Sequence, residues 1–235
     1  MFGGKMKALT FSFDDAVRQD VKMIEILNKY GLKGTFNLNS GRLGMEGTKE
    51  WEGRKINTDK IKPEDIKYVY EGHEISSHTV DHPGLVLMED DEVIRQVEEC
   101  RLALSDLAGY EVVGFAYPGG KWTLYDERVK NLVKDRTGCK YARITLPTLS
   151  YDLPEDLFEL RGTACFSRNF DDLLNIGQKF LELKTDKPQL FYLWGHGYEL
   201  DMGDGRWEVF EEFCKMMGGH DDIFYGTNKE VLLAK

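Results

Sequence analysis

Apolar residues recur along the chain in two alternating rhythms: short runs rich in β-branched and aromatic residues, and longer stretches with an apolar residue every three or four positions. The first rhythm predicts strands and the second predicts amphipathic helices. "KALTFSF", Lys7–Phe13, is a strand that finishes on a pair of aspartates. The spacing of Val17, Val21, Ile24, Ile26, Leu27 and Tyr30 predicts a helix over Val17–Tyr30, with Gly31 where a helix C-terminus favours glycine. "KGTFNLN" is the second strand. A helix near Pro63–Tyr70, a strand at "HEISSH", a long helix from Asp91 to Leu107 and a strand at "VVGFAYP" continue the series. A helix over Tyr125–Asp135 and strands at "YARITL" and "FELRGTA" follow. A helix over Asp171–Leu183, a strand at "QLFYLWGH", a helix over Trp207–Met217 and a last strand "IFYG" complete it.

Strands that alternate with helices of this length belong to a parallel sheet, and about seven or eight such units fit a closed or nearly closed β/α barrel, with a doubly wound open sheet as the alternative. The segment Asn39–Lys60 lacks either period and is rich in glycine and charge, so it reads as a long surface loop after the second strand. No repeat or linker divides the chain, and residues 1–235 read as a single domain.

Composition narrows the function classes. With 41% hydrophobic and 31% charged residues the chain is an ordinary globular protein. No apolar run approaches the ~20 residues of a spanning helix, and no charged-then-apolar leader opens the chain. A cytoplasmic location is therefore expected, unless a leader has been trimmed from ahead of Met1. The net charge of -10 disfavours nucleic acid and suits a neutral or cationic substrate. Cys100, Cys139, Cys165 and Cys214 are widely spaced, form no C-x-x-C pair, and read as buried thiols.

Ligands of parallel α/β folds gather at the carboxyl ends of the strands, and four of those ends carry chemistry. The first ends in Asp14 and Asp15, the third in His78 with His82 four residues on, the fourth in "AYPGG", and a later one in "WGHGYE" with His196. Adjacent aspartates after a strand point in different directions, so one can bind a metal while the other serves as a base. Taken alone, they read first as a cap for the helix that follows. Histidines at i and i+4 share one face of a helical turn and can converge on one ion. Asp15, His78 and His82 would then offer two imidazoles and a carboxylate with positions left open, as in catalytic zinc sites. The same set describes the facial triad of non-haem iron oxygenases, so ligand type does not fix the metal.

In "SFDDA", "GHEISSHTVDHP" and "LWGHGYE" the chain resembles the polysaccharide deacetylases with the NodB homology domain, carbohydrate esterase family 4, over roughly residues 7 to 225. The resemblance implies a distorted (β/α)7–8 barrel that holds a divalent metal, zinc first with Co, Ni or Mn as alternatives, and that removes acetyl groups from N-acetylated sugars. It implies Asp14 as catalytic base, Asp15, His78 and His82 as metal ligands, and His196 as general acid. It further implies Gly119 as an oxyanion N–H donor beside Pro118 and Tyr117. An acetylated saccharide is the expected partner; an O-acetyl esterase or a carbohydrate-binding relative without catalysis are the alternatives.

Two departures stand out. The family's third motif carries an arginine that contacts the base, and Ala116 occupies that position here. Arg143 or Arg161, at other strand ends, is expected to replace it. The family's Asp-Trp motif is missing, since none of Trp51, Trp122, Trp194 or Trp207 follows an aspartate. Trp194, two before the acid histidine, either reshapes the acyl pocket or packs as a core aromatic. Glu199 reads as an exposed loop carboxylate, His73 as structural, His220 as a turn residue, and Trp207 as packing on its helix rather than on a sugar.

Overall fold

The computed structural model describes residues 2–119 and 125–233. Its strands are β1 (Lys7–Asp14), β2 (Gly34–Leu38), β3 (Thr48–Trp51), β4 (Arg54–Asn57), β5 (Glu74–Ser77), β6 (Gly114–Ala116), β7 (Tyr141–Arg143), β8 (Ala164–Cys165), β9 (Gln189–His196) and β10 (Ile223–Tyr225). The helices are α1 (Asp20–Lys29), α2 (Ile66–Val69), α3 (Asp90–Ala108), α4 (Glu127–Arg136), α5 (Phe166–Asn169), α6 (Leu173–Glu182), α7 (Arg206–Met217) and α8 (Asn228–Leu232).

Eight strands form one parallel sheet in the order β7-β6-β5-β2-β1-β9-β8, with β10 on the first half of β1. The sheet curls until its two ends approach. Leu160 pairs with Arg143 of β7, and four residues later Ala164 pairs with Leu193 of β9, so one short segment spans the gap. The result is the distorted β/α barrel that the alternating pattern predicts. Among the described residues no helix is long and apolar enough to cross a membrane.

Strand β1 organises the barrel because its two faces do different work. Phe11 and Phe13 point outward, where Phe11 meets Phe213 and Phe13 meets Phe210 of α7 edge-on; full burial of each such ring contributes roughly 1.5–3 kcal/mol. Thr10, Ser12 and Asp14 point inward, where side-chain hydrogen bonds satisfy them: Thr10 donates to Asn228, and Asn37 donates to both Ser12 and Asp14. A parallel strand buried on both faces reads as a continuous buried run, and all eight residues of β1 are buried.

Several boundaries differ from the sequence expectation. Helix α1 begins at Asp20, not Val17, because Asp15 and Ala16 adopt positive φ (83° and 52°) and turn the chain before a helix can start. Neither aspartate caps it; Gln19 holds the N-cap position. The segment read as a loop contains the antiparallel hairpin β3–β4. Its residues Thr48–Trp51 are all exposed, so no apolar alternation marked it. Of "FELRGTA" only Ala164 belongs to a strand.

Candidate active site

The register of the sheet assembles the site. Asp14 stands level with His196 on one neighbouring strand and with Asn37 on the other, so three polar side chains meet at the carboxyl end of the barrel. Asp14 is almost fully buried, and burial alone would raise its pKa. The Arg143 guanidinium overrides this: its Nη2 lies 2.6 and 2.5 Å from the two carboxylate oxygens, and Asn37 donates at 2.8 Å. With His196 adding positive potential, the carboxyl stays below its ordinary range and ionised.

Arg143 is itself fully buried at the end of β7, level with Ala116 on β6. The arginine absent from Ala116 is thus supplied one strand away, from the position directly alongside. Its guanidinium lies 4.5 Å from the Trp194 ring centroid, so Trp194 is at once a packed aromatic and part of the cleft wall. Arg161, the other expected replacement, is half exposed, pairs with Glu159 at 2.5 Å, and does not reach Asp14.

Asp15, His78 and His82 form a candidate metal triad, with one ligand atom from each lying within 4.8 Å of the others. Nε2 of His78 and of His82 lie 4.0 and 3.9 Å from the same Asp15 oxygen, Oδ1. That oxygen is buried and accepts no hydrogen bond. Buried orphaned carboxylate oxygens are rare unless something else binds them, and in a tetrahedral site bonds of ~2.0–2.2 Å set ligand atoms about 3.4 Å apart, so a closure of about half an ångström brings this set onto one ion. His78 Nδ1 lies 2.8 Å from the Ala116 carbonyl, an acceptor only, so Nδ1 carries the proton and Nε2 presents its lone pair to the triad. Burial also pushes the His78 pKa down to about 4, keeping the ring neutral as ligation requires. The donor set therefore fits a divalent cation.

The backbone holding these ligands is strained. Asp15, Thr79 and His82 all have positive φ, at 83°, 70° and 58°. Such conformations cost of order 1–3 kcal/mol each in non-glycine residues and gather at functional sites. The turn between the histidines is pinned locally: the His82 N–H donates to Thr79 Oγ1 at 3.0 Å, and Asn39 and Thr79 both donate to the His78 carbonyl.

His196 faces Asp14 across the cleft, Nε2 to Oδ2 3.9 Å. Its Nδ1 is 2.8 Å from Glu199 Oε1, and Glu199 is buried rather than exposed as its loop position suggested. Burial lowers the imidazole's pKa, but the Glu199 hydrogen bond and charge outweigh it, with Asp14 and Asp15 adding to them, and the net value is raised to about 9. The short helical turn Gly197–Asp201 places a residue three beyond His196 back against it.

The cleft in front of these groups measures about 540 Å³ and includes Asp14, His78, Tyr117, Gly119, Trp194 and His196 in its wall. Gly119, with φ 104°, reaches the wall; Pro118 is buried behind it. Gly120, which completes the third motif, and Trp122 lie outside the described residues. His73, His220 and Trp207, set aside on sequence grounds, stay outside the site. His73 accepts from Gly34 N–H and contacts Asn28, His220 contacts the Met216 carbonyl, and Trp207 donates to Asp201 beneath Lys22. All four cysteines are buried.

The family model for polysaccharide deacetylases matches residues 3–141. No curated protein matches the chain. Among solved structures, a Streptomyces lividans family 4 carbohydrate esterase in complex with acetate is 11% identical over 95% of this chain and 92% of its own, with a TM-score of 0.56. A peptidoglycan N-acetylglucosamine deacetylase is 16% identical over 99% and 90%, TM-score 0.61. A Streptococcus pyogenes deacetylase in complex with acetate is 21% identical, TM-score 0.53, over 64% of this chain and 61% of its own. At these identities the likeness is one of fold.

Proposed function

The chain belongs to the polysaccharide deacetylase family, and from that premise we propose that it is a metal-dependent hydrolase removing acetyl groups from N-acetylated amino sugars. One observation carries the reading: Asp14 and His196 face each other at 3.9 Å beside a three-residue metal triad. Base, acid and ligands stand at the mouth of one cleft, with acid and base held in opposite charge states by separate partners.

Asp15, His78 and His82 would hold a divalent ion, which would supply Lewis acidity to the water and to the acetyl carbonyl; zinc suits two imidazoles and a carboxylate, and cobalt, nickel or manganese can take the same donors. Asp14 accepts the proton of the attacking water. Arg143 and Asn37 keep that carboxylate ionised and fixed in direction. The Gly119 N–H is the donor proposed for the developing oxyanion, and Tyr117 and Trp194 bound the acyl pocket. His196 gives its proton to the departing nitrogen, while Glu199 holds the ring by Nδ1 so that Nε2 faces the reaction. An amine leaves far less readily than an alkoxide without a proton, so an acid kept charged to about pH 9 favours the amide reading over the ester one. The survival of every acid, base and ligand position also speaks against a purely binding role.

The test is acetate release from a panel of paired N-acetyl and O-acetyl saccharides, before and after chelation and with Zn, Co, Ni and Mn restored. Release that stops on chelation and returns with metal is expected; release indifferent to chelation rules the mechanism out.

A further inference from the structure

Resting on the deacetylase reading, we propose that this site takes an acetylated saccharide bearing an anionic substituent, a carboxylate or a phosphate ester, which binds in a second cleft beside the metal triad. That cleft measures about 420 Å³ and runs along the β3–β4 hairpin. Asp15, Lys49 and Tyr198 belong to the walls of both it and the catalytic cleft, so the two clefts adjoin across these residues.

Its wall concentrates positive charge in a chain whose net charge is -10. Arg42, Lys49 and Lys60 line it, against Glu46, which is exposed, and Asp15, which is committed to the triad. Among the described residues neither Arg42 nor Lys49 has a carboxylate within 4.0 Å, whereas many of the chain's basic side chains pair with acids. Lys49 instead rests 4.7 Å from the Tyr198 ring centroid, a contact that fixes the ammonium at the junction of the clefts. Lys60 lies 3.6 Å from Asp15 Oδ2. A cation bound to the triad would add its own charge next to these three.

Like charges held close together disfavour one another, and here they line a concave wall that opens on the reacting centre. An anionic group on the substrate relieves that repulsion. Guanidinium and ammonium groups are the side chains that bind carboxylate and phosphate by charge-assisted hydrogen bonds. The whole-chain charge pointed to neutral or cationic substrates; the local field points the other way.

The experiment measures binding and acetate release with the metal-loaded protein for N-acetylglucosamine, its 6-phosphate and N-acetylmuramic acid. Calorimetry reads binding independently of turnover. Either anionic sugar is expected to bind about tenfold or more tightly than the neutral one, the preference shrinking as salt rises. Whichever of the phosphate and the carboxylate shows it identifies the anion. Arg42→Gln and Lys49→Gln should each lower the anionic-over-neutral ratio; both side chains are solvent-accessible, so a melting curve matching the parent checks that folding is intact. Equal binding of all three sugars overturns the proposal. Turnover of neutral sugars without anionic preference removes this cleft and leaves the deacetylase reading standing. Anionic preference in binding without acetate release from any sugar does the reverse.

Discussion

Asp14 and Arg143 lie 129 positions apart and both are almost fully buried, so each makes the other tolerable. Breaking such a pair leaves one uncompensated charge in the interior, which costs about 3–5 kcal/mol, whereas removing both partners costs much less. Arg143→Ala should therefore lower stability by about that amount in urea denaturation, and Asp14→Asn combined with Arg143→Met should recover most of it. Asp14→Asn alone should reduce kcat by ~10²–10⁴, the usual contribution of a positioned base, with metal binding retained. The acid limb of the site is equally testable. His196 is raised from 6.5 to about 9, so activity should hold through neutral pH and fall as pH rises through about 9. Glu199→Gln removes the main raising partner, and its basic limb should move to lower pH. The sign for stability follows: protonated His196 favours the folded state fully below 6.5, and that contribution disappears as pH rises through about 9. The residues proposed as ligands, base and acid could be picked out because Asp14, Asp15, His78 and His196 fall at or just past a strand end, with His82 four residues beyond His78. The Arg143 partnership was legible only as a choice between two arginines, since it depends on the curl of the sheet. Glu199 was misread because an i+3 contact needs a helical turn that an isolated "HGYE" does not announce.

The strand and helix order could be read in advance because the buried faces repeat with clean periods, as on β1 and α6. The β3–β4 hairpin could not be read, since its stability comes from elsewhere: only Ile56 is buried, in a small cluster with Val17 and Tyr198. That cluster also explains why Val17 left the expected helix. It faces the hairpin, and its backbone bridges to Lys60. Replacing Thr48–Asn57 with a short Gly-Ser link should cost the burial of Ile56, ~1.5–3 kcal/mol, together with the Asn57 contacts to Gln19 and Asp59 and the exposed Arg54–Asp204 pair. The same change strips Lys49 from the cleft wall. We expect the trimmed protein to fold and bind metal while its kcat/KM on saccharides falls through KM. An unchanged KM would separate the hairpin from substrate binding.

At the scale of the molecule, the triad joins parts of the chain that the sheet alone holds together: Asp15 follows β1, while His78 and His82 follow β5, with β2 lying between those strands. The strained backbone at Asp15, Thr79 and His82 means that the fold bears a cost that binding of a ligand to the triad would offset. A ligand that binds only the folded state stabilises it by RT ln(1 + [L]/Kd), about 2.7 kcal/mol at a hundredfold excess over Kd. For a chain of this size that corresponds to a Tm rise of roughly 5–10 °C. Zinc added to chelator-treated protein should raise Tm by that order, and the rise should depend on zinc concentration. His82→Ala leaves the buried pair of Asp14 and Arg143 intact and removes a side chain that is only partly buried, so its apo Tm should stay close to the parent's. Its zinc-dependent rise should vanish. A His82→Ala protein that still gains several degrees with zinc would place the metal elsewhere and detach the two-histidine turn from the chemistry.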